Sequence, residues 1–176
     1  MSPMQVGPLP TIEWIADEFL HNARRGRRLI AVDGADPEAS ARLADELAAA
    51  VAARLALAPG PTDASTAGHR HGTTVVRSSV GTVDEATLRA ELVDPFRART
   101  LVGAEGDDVV LVVDGRHLLD DTVRGVWHFS VWTLAGDELP HSGASVIVDV
   151  SDPAVPTRYY YDYCAIPPSV NRPGLH

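Results

Sequence analysis

The stretch Arg28-Leu29-Ile30-Ala31-Val32-Asp33-Gly34-Ala35-Asp36-Pro37-Glu38-Ala39-Ser40-Ala41 decides how the rest of the chain is read. Leu29 to Val32 is an unbroken apolar run, the pattern of a short strand buried on both faces. Asp33-Gly34 turns the chain, and Asp36-Pro37 opens a helix. Aspartate is a good N-cap, and proline suits the first helical position, where its missing N–H costs nothing. The helix runs to about Leu57, with Leu43, Leu47, Val51 and Leu55 recurring every four residues among alanines, the strongest helix formers. A buried strand, a tight turn and a long helix are the first half of a βαβ unit.

Outward from this unit, the alternation continues. Upstream, Thr11 reads as a cap for a helix carrying Ile12, Ile15, Phe19 and Ala23, closed by Gly26. Downstream, Pro59-Gly60-Pro61 ends the long helix, and residues 58–72 read as a surface loop. Thr73 to Ser78 is a β-branched run, hence a second strand. Thr82 and Glu85 have the spacing of a capping box before a helix with Ala86, Leu88 and Leu92, which Pro95 stops. Asp108 to Asp114 is the clearest buried strand. A short helix is expected from Leu118 to Val126, then strands at Phe129–Leu134 and Ala144–Val150. Five strands interleaved with helices predict an α/β fold, a parallel sheet with helices on both faces. The expected organisation is an N-terminal helix (1–26) packed on the core, an α/β body (27–156) and a Tyr/Pro-rich tail (157–176) laid extended over the body. That tail holds all four tyrosines, Tyr159, Tyr160, Tyr161 and Tyr163.

Composition narrows the function. The 176 residues suit one domain, and 15 Lys plus Arg against 24 Asp plus Glu give a net charge of −9. Such a chain lacks the basic face that a general nucleic-acid binder needs. At 45% hydrophobic and 22% charged residues it is too apolar to be disordered. Its one cysteine, Cys164, excludes an internal disulfide and a multi-cysteine zinc site, and reads as a small buried hydrophobe. Met1 to Pro10 lacks the basic and apolar regions of a signal peptide. No apolar run approaches the ~18 residues of a membrane span. A soluble, cytoplasmic protein that avoids membranes and nucleic acid is expected.

The turn at 34–41 invites comparison with the phosphate-binding pattern G-x-x-x-x-G-K-[ST]. There, glycines let backbone N–H groups wrap phosphate, the lysine neutralises it and the hydroxyl holds Mg²⁺. Gly34 falls on the first glycine; Ala35 and Asp36 lie inside the turn. Ala39 stands at the second glycine, Ser40 at the lysine and Ala41 at the hydroxyl. Asp36 and Glu38 put two carboxylates at the positive end of the helix dipole, where a phosphate would otherwise sit. Losing the lysine alone removes an interaction of roughly 1.5–3 kcal/mol.

Arg28 to Gly34 resembles the first strand of uridine kinase-like P-loop proteins, and Ala41 to Ala48 their first helix. Asp84 to Arg97 resembles their segment with a Leu-x-Pro turn. Asp108 to Leu119, with Asp114-Gly115, resembles their strand carrying an acid before glycine. Val146 to Pro156 resembles their last strand and its Asp-Pro exit. The resemblance spans residues 25–156 in patches, held together by their order. It implies a three-layer P-loop NTPase-like fold with strand order 2-3-1-4-5, and ATP, Mg²⁺ and a nucleoside as ligands. Against that, the Walker A turn is degenerate and Ser78-Ser79-Val80-Gly81 leaves no room for the family's catalytic aspartate. Ala135 to Gly143 also lacks the arginines of its lid. Cradle, base and lid of phosphoryl transfer are therefore all missing. The expected function is that of a degenerate, catalytically inactive binding or regulatory module with no cofactor. The alternative is an atypical ATP-dependent nucleoside or small-molecule kinase in which Asp33 or Asp114 holds Mg²⁺ and Arg42 or Arg70 replaces the lysine.

Other residues admit two readings each. Asp33 either helps hold a metal or accepts backbone hydrogen bonds. His117, beyond Asp114, is either functional or a structural hydrogen-bonder at the end of a central strand, where open α/β sheets bind ligands. His69 and His71 form an H-x-H pair that is either a metal ligand set or two solvated loop histidines. Trp127 to Trp132 either packs the core or walls a base site. The Tyr159–Tyr163 cluster either covers its own body or contacts a second copy or another protein, since tyrosine suits interfaces.

Overall fold

The computed structural model describes residues 10–57, 72–136 and 138–159. Helix α1 (Thr11–Asn22) leads to strand β1 (Arg27–Gly34) and the long helix α2 (Pro37–Leu57). Strand β2 (Thr74–Thr82) follows, then α3 (Glu85–Leu88), a wide turn at Arg89–Val93, and α4 (Asp94–Arg97). Strands β3 (Val109–Arg116), β4 (Phe129–Leu134), β5 (Val146–Asp149) and β6 (Thr157–Tyr159) complete the sheet.

The protein is α/β, with one six-stranded sheet in the order β2-β3-β1-β4-β5-β6. β1 sits centrally, parallel to β3 on one side and to β4 on the other. β2 and β5 extend the parallel part outward. The expected five-stranded parallel sheet needs correction here: β6 adds a sixth strand, antiparallel to β5, so the sheet is mixed. Three residues assigned to the tail thus belong to the sheet. Their pairing is with a distant strand, and nothing local in a three-residue run after Pro156 announces it.

Strand alternation builds two cores. Ile30 and Val32 of β1, with Val110 and Val112 of β3, face Leu43, Leu47 and Val51 of α2, and α1 covers the same side with Ile15 and Phe19. Leu29 and Ala31, with Leu111 and Val113, face the opposite side, under Leu88, Leu92 and Phe96. Two cationic side chains brace the N-terminal ends of the strands. Arg28, 2% exposed, pairs with Asp108 at 2.6 Å, and Arg27 lies over the Phe96 ring and donates to the Gly106, Phe96 and Ala104 carbonyls.

Several local expectations are corrected. Pro10, not Thr11, precedes the first turn of α1, which has no side-chain cap, and α1 ends at Asn22 before Gly26. The cap of α3 is Asp84, whose carboxylate accepts the Thr87 N–H at 2.9 Å, because Thr82 is still in β2. Pro95 does not stop the helix. It enters the first turn of α4, and the preceding turn widens so that Asp94 N–H reaches the Arg89 carbonyl five residues back. The wider turn makes room for a ring that cannot donate. Residues 118–126 form turns and a single 3₁₀ turn at Arg124–Val126 rather than a helix. Among the described residues no helix is long and apolar enough to cross a membrane.

Candidate functional site

Ligands of open parallel sheets meet the C-terminal ends of the strands, and here that end is where β1 hands over to α2. Asp33 is 2% exposed. Its Oδ1 accepts the Gly34 N–H at 2.7 Å and its Oδ2 the Leu119 N–H at 3.3 Å. Burial raises its carboxyl above the usual aspartate range; the N–H donors of Gly34, Leu119 and Leu118 and the charge of His117 pull it partly back. Asp33 therefore ties the end of β1 to the segment after β3.

Gly34 is a glycine for a packing reason. A Cβ there would lie 1.9 Å from Thr133 Oγ1 and 2.7 Å from the Thr133 carbonyl oxygen. Ser40, 1% exposed, points into the same contact. Its hydroxyl donates to the Asp36 carbonyl at 3.1 Å and lies 2.9 Å from Thr133 Oγ1, which in turn donates to the Asp33 carbonyl at 3.3 Å. Turn, helix and β4 are thus laced by hydroxyls inside the protein.

The outer side of the turn is acidic and already bonded. Asp36 Oδ1 accepts the Glu38 N–H at 2.9 Å and the Ala39 N–H at 3.3 Å, so the side chain consumes the donors exposed at the head of α2. Ala35, Asp36 and Glu38 are exposed, whereas Ala39 is buried in the core. The Ala35 carbonyl accepts from Arg116 Nη1 at 2.6 Å, which brings one cation from the end of β3 over the turn. Arg42 is exposed on α2.

Asp33 and Asp114 do not converge. Asp114 is in register with Val32, so it shares that residue's face and Asp33 takes the other. On its own face Asp114 is ion-paired with Arg77 at 2.6 Å and accepts from Ser79 Oγ at 3.0 Å. Ala41 joins this cluster through its carbonyl, 3.2 Å from Arg77 Nη2. His117 adopts a left-handed backbone (φ +64°), uncommon outside glycine, and its exposed ring lies 3.5 Å from Asp120. It lines a cleft of about 400 Å³ with Asp84, Glu85, Leu88 and Thr122, apart from the 34–41 turn. Among the described residues no group of three or more His, Cys, Asp or Glu is placed to hold a metal ion.

Trp127 donates from Nε1 to the Leu118 carbonyl, and the half-buried Trp132 stacks on His141 with ring centres 5.3 Å apart. Both pack against the core under the 118–126 segment. Tyr159 is exposed on β6. His69, Arg70, His71, Tyr160, Tyr161, Tyr163 and Cys164 lie outside the described residues.

Sequence reasoning missed Arg77, Arg116 and Thr133, which complete the site from three different strands. Arg77 alone carried a readable signal, being the single charge in the run Thr74 to Thr82. Comparison with known proteins finds no matching family model, no matching curated protein and no matching solved structure.

Proposed function

We propose that this is a uridine kinase-like P-loop protein whose phosphate turn is occupied by its own side chains, acting as a binding or regulatory module without phosphoryl transfer. The observation that carries the reading is the Asp36 carboxylate on the N–H groups of Glu38 and Ala39, in the position an anion would take. The neighbouring residues support it. Ser40, at the lysine position, is buried against Thr133, and Ala41 offers Mg²⁺ no hydroxyl. The two aspartates that end β1 and β3 point to opposite faces of the sheet. ATP and Mg²⁺ fit these residues poorly, so no resident cofactor is expected. Action then comes through contacts with a second copy or another protein in the cytoplasm, with the Tyr159–Tyr163 segment as the proposed contact. One observation favours the second reading, an atypical ATP-dependent nucleoside kinase: Arg116 already lies over the turn and could serve as the missing cation.

Titration calorimetry separates the two. With ATP and Mg²⁺, and separately with uridine, the wild-type protein is expected to give no heat from the nucleotide. The double variant Asp36→Asn, Glu38→Gln keeps a capping oxygen while removing both charges, and is expected to gain weak affinity for ATP. Micromolar ATP binding by the wild type, lost in Arg116→Ala, would instead establish the kinase reading.

A further inference from the structure

β2 is an outermost strand of the sheet and, among the described residues, pairs with β3 alone. The Thr74 N–H donates to the Asp108 carbonyl at 3.1 Å, and the register then runs unbroken to Ser79. Backbone groups along a strand point alternately to its two sides. Thr74, Val76 and Ser78 therefore bond β3, whereas Val75, Arg77 and Ser79 turn their N–H and C=O groups away from the sheet. Val75 and Arg77 are half-buried, and these outward groups have no backbone partner among the described residues. Edges of this kind are usually blunted by brevity, lysine or proline. The opposite edge is: β6 has three residues. β2 has nine, with neither lysine nor proline. Its one charge, Arg77, is spent within the chain, on Asp45 at 2.8 Å, the Ala41 carbonyl at 3.2 Å and Asp114 at 2.6 Å. The irregularity at Ser79/Gly81 ends the edge but leaves Thr74 to Ser79 in regular register.

We infer that the β2 edge is a dimer surface whose partner is β2 of a second copy, running antiparallel so that the two sheets become one. A strand that meets its own copy about a two-fold axis is self-complementary, each donor of one copy facing an acceptor of the other. Centring the axis on Val76 sets Val75 of each copy opposite Arg77 of the other, in two bonded pairs with four N–H···O bonds. The two Val76 side chains then form the closer, unbonded pair between them. Centring it on Arg77 would oppose two like charges, and centring it on Val75 would set Arg77 opposite Thr73, outside the strand. The helices leave room. α2 lies against β1, β2 and β3. The two β3 strands would stand three strand spacings apart, about 14 Å. Packed helices need only about 8–10 Å between axes, so the two copies of α2 clear each other. This goes beyond the proposed function and does not rest on it: ATP binding by the wild type would sink that reading and leave this edge as it is. The surface is also distinct from the Tyr159 contact, since β6 forms the opposite edge.

Sedimentation velocity of the full chain tests it. At about 100 µM, a concentration that populates any dimer of micromolar dissociation constant, wild type is expected to sediment as a dimer and to dissociate on dilution. Val75→Pro removes an N–H that faces away from β3, where an edge strand tolerates proline. It deletes two bonds across the axis, one from each copy, and is expected to weaken association by roughly 25-fold, about fivefold for each bond. Circular dichroism of the dilute variant checks that the fold is kept. A wild type that stays monomeric overturns the inference, as does a dimer whose strength Val75→Pro leaves unchanged. Should Val75→Pro not fold, disulfide trapping decides. Val76→Cys in a Cys164→Ser background is expected to link into a dimer on mild oxidation faster than Val102→Cys, at an 88% exposed site, does in the same background. Linking that is no faster overturns the inference.

Discussion

Gly34 shows how one residue can be right for a different reason than its motif implies. By position it matches the glycine that lets a phosphate approach the backbone. In the protein its missing side chain lets β1 approach β4, with Thr133 in the space a Cβ would need. Its backbone is not in the left-handed region, so close packing, and not conformational freedom, fixes the residue. Gly34→Ala is therefore expected to push the two central strands apart and to cost about 1–3 kcal/mol, the range for overpacking a filled interior. Urea denaturation measures this directly. Adding Thr133→Ala removes the hydroxyl contact but leaves the Thr133 carbonyl 2.7 Å from the new methyl, so it should restore only part of the loss. Full recovery, or no loss in the first place, would contradict the packing account.

Between elements, the join of β1 and β4 carries a titratable splice. Their ladder begins at Ile30 and Phe129. One residue earlier, His128 N–H donates to the Leu29 carbonyl at 2.9 Å, and the Leu29 N–H donates to His128 Nδ1 at 3.1 Å, so an imidazole stands where a backbone carbonyl would. That bond needs a neutral Nδ1. Burial first, then the charges of Arg97 and Arg28, lowers the His128 pKa. The unfolded chain takes up a proton near the ordinary value of about 6.5 while the folded chain resists. Stability is then expected to be complete above that pH and to fall as pH drops through the depressed folded value. Asp33 works in the opposite sense, since its raised carboxyl favours the fold at low pH and loses that contribution as pH rises. The His128 effect is accordingly read as a difference: urea midpoints at pH 7.5 and 5.5 should separate for wild type and converge for His128→Asn, which keeps an acceptor that does not titrate. Parallel pH dependence in both proteins would remove His128 from the account. Elements legible in the sequence are those whose stability is local. α2 could be bounded at 37–57 because an Asp-Pro start and a four-residue leucine repeat sit in one stretch. β1 and β3 read clearly because burial on both faces leaves unbroken apolar runs. The three-residue β6 and the irregular 118–126 segment were not legible, because each is set by a partner far away in the chain; Pro95 was misread because a proline fits a widened helical turn as well as it ends a helix. The site divides in the same way: the Asp36 cap at the head of α2 was readable from Asp36-Pro37, while Arg77, Arg116 and Thr133 reach the turn only through the register of strands.

At the scale of the molecule, the parallel strands gather their acids at one end. Asp33, Asp36, Asp84, Asp114, Asp120 and Asp149 all lie at or just beyond the C-terminal ends of β1, β2, β3 and β5. The two cations that bond to carbonyls of the turn are committed, Arg77 also to Asp45 and Asp114 and Arg116 to the Ala35 carbonyl, while Arg42 is exposed beside them. With a net charge of −9 over the chain, this edge is expected to repel anions. Tripolyphosphate isolates this effect from any recognition of base or sugar. Its presence is expected to leave the melting temperature unchanged at 150 mM NaCl, where charges are screened beyond about 8 Å. Lowering the salt to 20 mM should not reveal binding, because weaker screening lengthens the repulsion. Had the edge been attractive, affinity would rise steeply on the same dilution, as it does wherever a polyanion meets a basic surface. A melting temperature that climbs with tripolyphosphate, and climbs further at low salt, would place net positive potential at this edge and reverse the sign on which the reading of the turn depends.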